Sequence, residues 1–394
     1  MKSDYMFTSE SVTEGHPDKL CDQIADAVVD RFLRQDPLAR VLTECAVSNG
    51  ILFVASRFAA SATVDIPEAA RQVILQVGYT GEEFNAENCT VMTSLSQLPR
   101  QDWRDERELS DAEIEAIPAR NMANVFGFAC DQTAALMPLP IWLAHKLARR
   151  LAAVRLQRQL SYLAPDGKTQ VGVEYRQGRP FRIYSLTLVA SQWQAMAVSP
   201  ERLRDDLYAL VVEPAFLDEP IKPDRGTAVF INPDGPLVNG GPTSHSGLTG
   251  RKNAIDSYGE YSRQSESALS GKDPTRIDRV GAYAARHAAK NVVAAGLASA
   301  CEVLLSYSIG QSRPVSVQVE TFGTGRVSDP ILAQRVQAHF DFRPAAIIRS
   351  FNLRQLPSQY RGGFYRRLAA YGQVGRMDLG LPWERTDRAA LLRE

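Results

Sequence analysis

The chain has little cysteine, little lysine and no long apolar run, and each scarcity excludes a class of protein. Its five cysteines form no CxxC pair, which argues against a disulfide scaffold and favours a reduced, cytoplasmic protein. The first residues are not followed by the apolar core of a secretory signal. The longest apolar stretch, near residues 292–305, contains Ser299 and Glu302 and is too short to span a bilayer. We therefore expect no membrane partner.

Charge is balanced, and lysine is rare among the cations. Lys+Arg and Asp+Glu both total 45, so no overall field attracts the protein to nucleic acid. Only eight of the cations are lysines, and four of these lie in short polar motifs. The motifs are Gly15-His16-Pro17-Asp18-Lys19, Pro165-Asp166-Gly167-Lys168, Gly250-Arg251-Lys252 and Gly271-Lys272-Asp273. Compact ammonium groups that alternate with carboxylates indicate a site for a metal-chelated polyphosphate.

The length of 394 residues indicates two or three domains, and the periodicity favours three. Helices are predicted near 16–35, 67–77, 139–158, 200–213 and 279–297, with a closing helix from about 328. Strands are predicted near 40–48, 51–58, 89–95, 124–130, 168–176, 181–191, 301–309 and 315–321. Asn49-Gly50 between the first two strands predicts a hairpin. We therefore expect three α+β domains over residues 4–101, 115–238 and 239–385. They share no sequence identity, so an internal repeat is only a hypothesis.

A polar stretch over residues 98–115 has little periodicity and has two interpretations. It contains Gln101-Asp102-Trp103-Arg104-Asp105-Glu106-Arg107-Glu108. A solvated surface loop and a mobile gate over a site fit this composition equally well.

The motif around His16 opens the first predicted helix. Free backbone N–H groups and the positive end of the helix dipole favour an anion there. His16 is placed to donate to a leaving oxygen, Asp18 to hold Mg²⁺ and Lys19 to meet a phosphate. A helix cap with ordinary surface charges is the alternative.

Two further segments combine glycine with charge. Residues 239–252 are rich in glycine and end in Arg251 and Lys252, and residues 270–279 interleave cations with carboxylates before a helix. Glycines let backbone N–H groups approach an anion closely, although a surface turn would have a similar composition. Glu44 lies in an otherwise apolar strand, where it either binds a cation or faces water at an edge.

Read together, these segments resemble the S-adenosylmethionine synthetase (methionine adenosyltransferase) family over nearly the whole chain. The motifs that carry the resemblance are Phe7-Thr8-Ser9-Glu10-Ser11-Val12, Glu14-Gly15-His16-Pro17-Asp18-Lys19, Leu136-Met137-Pro138, Pro165-Asp166-Gly167-Lys168, Phe230-Ile231-Asn232-Pro233, Gly247-Leu248-Thr249-Gly250-Arg251-Lys252, Ser270-Gly271-Lys272-Asp273-Pro274 and Pro382-Trp383-Glu384.

The resemblance implies three similar α/β domains around a pseudo-threefold axis, in a homodimer or a dimer of dimers with active sites between subunits. It implies attack of methionine sulfur on C5′ of ATP, with release of triphosphate that is then hydrolysed to phosphate and diphosphate. The implied catalytic residues are His16, Lys168, Arg251 and Lys272. The implied triphosphate-binding residues are Lys19, Asp166, Lys168, Arg251, Lys252, Lys272 and Arg276. Asp18 and Asp278 would hold Mg²⁺, and Glu44 would bind K⁺.

Several residues of the implied site depart from the family pattern. Arg57 stands where the family has a glutamate that faces the amino-acid ammonium, and Asn121 and His245 each replace an aspartate. Gln97 matches the glutamine that meets the amino-acid carboxylate, and Arg276 replaces a lysine. The departures thus fall among positions that would recognise the amino acid and the nucleoside.

These departures leave three hypotheses for the activity. The first is an S-adenosylmethionine-forming enzyme. The second is a relative that uses another nucleotide, such as CTP, or another thioether. The third is a non-catalytic paralogue that binds a nucleotide or partners a true synthetase. The retained cations and metal ligands argue against the third.

Overall fold

The computed structural model describes residues 4–100 and 103–394, and their helices and strands alternate along the chain. The strands are β1 (Tyr5–Val12), β2 (Arg40–Ser48), β3 (Ile51–Ala59), β4 (Thr90–Gln97), β5 (Ala123–Cys130), β6 (Leu163–Arg176), β7 (Arg179–Gln192), β8 (Pro223–Ile231), β9 (Leu237–Val238), β10 (Gly247–Leu248), β11 (Ala300–Tyr307) and β12 (Ser316–Glu320). The helices are α1 (Pro17–Gln35), α2 (Ile66–Val77), α3 (Asp111–Glu115), α4 (Leu139–Leu156), α5 (Pro200–Leu207), α6 (Glu213–Ala215), α7 (Asn253–Asp256), α8 (Ile277–Ala294), α9 (Asp329–His339), α10 (Pro344–Phe351), α11 (Leu356–Gln359) and α12 (Tyr365–Leu368). The predicted α+β class is confirmed.

Three sheets organise the described residues, and each recruits a strand from a distant part of the chain. The order β10-β2-β3-β4 forms one sheet, β1-β6-β7-β8 with β9 beside β7 forms another, and β12-β11-β5 forms the third. β1 pairs along its whole length with β6, from Tyr5 opposite Tyr175 to Val12 opposite Lys168. Likewise β5 pairs with β11, and β10 pairs with β2. The sheets therefore connect the sequence segments, whose boundaries at 4–101, 115–238 and 239–385 stay a prediction.

Most predicted elements agree with the structure to within a few residues, and four differences are notable. The strands β1 and β8 were not predicted, and β6 begins earlier than expected, at Leu163. The helix predicted over 200–213 ends its α-helical part at Leu207 and continues as a π-helical turn over Tyr208–Val212. The hairpin of β2 and β3 is as predicted, with Asn49 in the left-handed region at φ 49°.

Helix α1 packs against strands and other helices and positions the candidate site at its N-terminus. It begins at Pro17, and its side chains are buried almost throughout. It contacts β2 and β10 on one side and α2 and α12 on others. A helix surrounded in this way holds its first turn rigidly, which fixes His16 and Asp18.

Close backbone packing joins the third sheet to α8. A Cβ added to Gly127 in β5 would lie 1.9 Å from the carbonyl carbon of Ala285, so only glycine fits there. All five cysteines are free and buried. None of the described helices has the length and apolar character needed to cross a membrane.

The described part of the 98–115 stretch packs on the C-terminal region. Glu106 forms a buried ion pair with Arg354 at 2.6 Å, and Ile114 packs against Ala345 and Ala346. Gln101 and Asp102, on which part of the gate hypothesis falls, lie outside the described residues. The gate therefore stays a hypothesis.

Candidate active site

His16 is the N-cap of α1. Its extended backbone (φ −60°, ψ 133°) precedes Pro17, and its Nδ1 accepts a hydrogen bond from the backbone N–H of Asp18 at 3.2 Å. Because Nδ1 accepts, the single proton of the neutral ring lies on Nε2. Gly15 allows this loop to pack closely against β6, because a Cβ at this position would lie 2.2 Å from the carbonyl oxygen of Pro165.

Asp166 and His245 lie beside His16, although they are far apart in sequence. Nε2 of His245 is 2.9 Å from Oδ2 of Asp166, which also accepts from the backbone N–H of Gly241 at 2.8 Å. The rings of His16 and His245 have centroids 4.8 Å apart. The glycine-rich segment 239–252 therefore folds back over the start of α1.

The environment of His16 keeps its ring neutral. Burial lowers the pKa of His16 to about 3; Asp166 opposes this shift, whereas His245, Lys168 and Lys252 add to it. Burial alone would raise the pKa of Asp166, but the hydrogen bond with His245 and the charges nearby outweigh burial and lower it. The arrangement is thus a neutral hydrogen-bond donor with an ionised carboxylate beside it.

The predicted cations Arg251 and Lys252 also lie here. Nε of Arg251 is 2.7 Å from Oδ1 of Asp18, which accepts the backbone N–H of Leu248 at 3.0 Å. Nζ of Lys252 is 2.7 Å from Oε1 of Glu10 on β1. We call the resulting group the histidine cluster; its members are His16, Asp18, Asp166, Lys168, His245, Arg251 and Lys252.

Lys19 does not face the histidine cluster as a phosphate ligand would. Its side chain is 0 % exposed, and its ammonium lies 2.9 Å from Asp22 and 2.6 Å from Asp256. Burial would lower the pKa of Lys19, but the two carboxylates outweigh burial and raise it, so the ammonium stays charged inside the protein. Lys19 therefore forms buried ion pairs in this chain, and its predicted phosphate contact stays a prediction.

A second group, the Lys272 cluster, contains Lys272, Asp278, Asn121 and Arg276. Nζ of Lys272 is 3.5 Å from Oδ2 of Asp278, whose two oxygens also lie 3.1 and 3.2 Å from Nδ2 of Asn121. Burial lowers the pKa of Lys272, and Asp278 opposes that shift. Arg276 lies 4.0 Å from Asp273. The ammonium group of Lys272 is suited to bind an anionic ligand, and the carboxylate of Asp278 is suited to bind a metal ion that accompanies this ligand.

Arginines line a cavity next to the Lys272 cluster. The cavity is about 360 Å³ in volume and is lined by Arg40, Arg57, Ala59, Leu98, Pro99, Trp103, Arg120, Thr275 and Arg276. The guanidinium of Arg40 lies 3.4 Å from the ring centroid of Trp103. Of these residues, Arg57 and Arg276 were predicted from the sequence, and Trp103 lies in the 98–115 stretch that the gate hypothesis places over a site. Arg40 and Arg120 were not predicted as site residues.

Glu44 and Gln97 lie on the sheet that also carries Arg57. Glu44 is exposed on β2, and Gln97 is exposed at the end of β4, opposite Phe58. Within residues 4–100 and 103–394, no hydrogen bond or ion pair joins the histidine cluster to the Lys272 cluster. Most of the predicted site residues therefore form two clusters that no such bond links, and Lys19, Glu44, Arg57 and Gln97 belong to neither cluster.

Comparison with known proteins supplies matches over the whole chain. Three family profiles match in order: S-adenosylmethionine synthetase N-terminal domain over residues 4–99, central domain over 116–237 and C-terminal domain over 239–385. The chain is 49% identical to the S-adenosylmethionine synthase of Gloeothece citriformis (strain PCC 7424), over 99% of this chain and 97% of that protein. It is 50% identical to the S-adenosylmethionine synthase of Trichormus variabilis (strain ATCC 29413 / PCC 7937), over 100% of this chain and 97% of that protein.

Proposed function

Because the chain belongs to the S-adenosylmethionine synthetase family, we propose that it joins methionine to ATP and forms S-adenosylmethionine. Sulfur of methionine attacks C5′ of ATP, the C5′–O bond breaks, and triphosphate leaves and is hydrolysed to phosphate and diphosphate. None of the comparisons favours another nucleotide or a non-catalytic role.

The observation that carries this proposal is the histidine cluster. Negative charge develops on the oxygen that leaves C5′, and a fixed donor beside that oxygen lowers the barrier. The neutral His16 ring carries its proton on Nε2 and is flanked by Lys168, Arg251 and Lys252. In our proposal His16 donates to the leaving oxygen, while these cations and Lys272 with Arg276 bind the phosphates.

Metal ions are part of the proposal, and the donor chemistry fits them. Arg251 and Leu248 contact Oδ1 of Asp18, which leaves Oδ2 for a metal ion. Asp278 is a buried carboxylate next to the ammonium group of Lys272, which a metal ion would displace. Carboxylate oxygens are the ligands that Mg²⁺ prefers. We propose Mg²⁺ at Asp18 and Asp278, where it would neutralise triphosphate charge, and K⁺ at Glu44, whose carboxylate is exposed.

A homodimer would bring the two clusters together. One face of the sheet formed by β10, β2, β3 and β4 exposes large apolar side chains, among them Ile51 (52 %), Phe53 (41 %) and Met92 (52 %). Such a patch is typical of an interface between subunits. We propose that a second copy covers it and that the histidine cluster of one subunit meets the Lys272 cluster of the other. The five buried free thiols favour a cytoplasmic location.

The direct test is product formation by the purified full-length chain. We expect ATP, methionine, Mg²⁺ and K⁺ to give S-adenosylmethionine, identified by mass spectrometry, together with phosphate and diphosphate. CTP, GTP and UTP serve as matched alternatives in the same assay. Product from one of these nucleotides but not from ATP, or no product at all, would contradict the proposal.

A further inference from the structure

His16, Asp166 and His245 form a compact group of metal-ligand type. One nitrogen of each ring and one carboxylate oxygen all lie within 4.8 Å of one another. Among the residues that the structure describes, this is the only group of three or more His, Cys, Asp or Glu side chains placed so closely. Two imidazoles and one carboxylate, with a position left open, are the protein ligands of many zinc sites.

A second observation also indicates a missing ligand. Asp166 is 2 % exposed, and its Oδ1 has no hydrogen-bond partner within the described part of the chain. A buried carboxylate oxygen without a partner is unfavourable unless a cation or a water meets it. Oδ2 of the same carboxylate is already held by His245 and Gly241, so the group is oriented and one oxygen remains.

Binding uses Nε2 of His16, because Nδ1 already accepts the backbone N–H of Asp18 at 3.2 Å. The proton on Nε2 is released to solvent when the ion binds.

We propose that His16, Asp166 and His245 bind one Zn²⁺ ion, distinct from the Mg²⁺ that accompanies the nucleotide. Two nitrogen donors select a borderline metal over Mg²⁺, which prefers oxygen. Lys168 and Lys252 lie near enough to repel a bound cation. Glu10 reduces this repulsion, because its Oε1 is 2.7 Å from Nζ of Lys252. If the proposed function holds, Zn²⁺ inhibits the transfer, because the bound ring of His16 cannot donate to the leaving oxygen.

The test is zinc binding by the metal-stripped, full-length protein in excess Mg²⁺. Equilibrium dialysis should show one tightly bound Zn²⁺ per chain. His245→Asn should weaken zinc binding at least tenfold, whereas His339→Asn should bind like the wild type. His245 is 32 % exposed on its side chain, so this variant should fold, which circular dichroism checks. Equal zinc affinity in the wild type and His245→Asn would overturn the proposal.

Cobalt gives an independent readout of the ligands. Co²⁺ in place of Zn²⁺ should show visible d–d bands without sulfur-to-metal charge transfer, and the bands should disappear in His245→Asn. Charge-transfer bands would assign the ion to a cysteine and refute the site. Because these measurements do not use activity, a protein that binds zinc but forms no S-adenosylmethionine would refute only the proposed function.

Discussion

Asp18 on the first turn of α1 and Arg251 at the end of the glycine-rich segment form an ion pair of 2.7 Å between residues 233 positions apart (251 − 18). One oxygen of Asp18 is used in this pair and in the hydrogen bond from Leu248. The same carboxylate therefore anchors the cation that we propose binds phosphate, and it keeps a second oxygen for the proposed metal ion.

The variant Asp18→Asn should test the proposed metal-binding role of Asp18 separately from its contact with Arg251. The amide keeps the shape and one oxygen, so the fold should persist, but the anionic metal ligand is lost. We expect kcat/KM for S-adenosylmethionine formation to fall by about 100-fold or more. Asp234→Asn, at an exposed turn position, is the control and should keep wild-type activity. Full activity in Asp18→Asn would show that Asp18 is no metal ligand.

The low pKa of His16 predicts a loss of stability in acid. The unfolded chain binds a proton at this residue below about pH 6.5, whereas the folded protein does so only near its pKa of about 3. The contribution of His16 is therefore fully present above the unfolded pKa and is lost as pH falls towards 3, by at most about 1.4 kcal/mol per pH unit.

Urea unfolding at fixed protein concentration and several pH values measures this effect. His16→Asn keeps an acceptor for the N–H of Asp18 and should show a smaller dependence on pH. An identical pH dependence in both proteins would mean that His16 titrates normally.

Glu384 holds two buried cations, and its loss should destabilise the protein. Its Oε2 accepts hydrogen bonds from Nη2 of Arg286 at 2.8 Å and from Nζ of Lys290 at 2.7 Å. Glu384→Gln leaves both cations buried without a counter-charge, so we expect the free energy of unfolding to fall by about 3–5 kcal/mol. Glu320→Gln, which removes a partner of the half-exposed Arg263, should cost about 1 kcal/mol or less. Equal urea midpoints for the two variants would contradict this assignment.

Gly127→Ala tests the backbone packing of β5 on α8. The added methyl group would overlap the backbone of Ala285, so strand and helix must separate, and we expect a loss of about 3 kcal/mol or more in unfolding free energy. Gly178→Ala is the matched control. No atom lies within 4 Å of its added Cβ among the described residues, and only its φ of 73° is unfavourable for alanine. That variant should lose about 1 kcal/mol.

Phe53→Asp should reveal whether the exposed sheet is a subunit interface. A carboxylate in the centre of an apolar contact would be buried without a partner, so we expect a monomer in size-exclusion chromatography. Activity should be lost with the dimer, because each proposed site needs both subunits. Leu217→Asp changes another exposed leucine, at 75 % exposure, and should change neither property. A fully active monomer would refute the shared site.

The sequence predicted those elements that depend on interactions between residues close together in the chain. The hairpin of β2 and β3 and the start of α1 followed from Asn49-Gly50 and from Pro17. Strand β1 was missed because its partner β6 is more than 150 residues away along the chain. The burial of Lys19 depends in the same way on Asp256, 237 residues further on. His16 was recognised from its motif, but its contact with Asp166 and His245 depends on long-range folding.

The exchange of strands between sheets has a consequence for biosynthesis. β1 is synthesised before its partner β6, which ends at Arg176, and β5 is synthesised before its partner β11, which ends at Tyr307. Their edges therefore remain open while the intervening residues are made, which exposes nascent chains to mispairing. Fragments cut at the profile boundaries would each lack a neighbour strand, so the three segments must mature together as one unit.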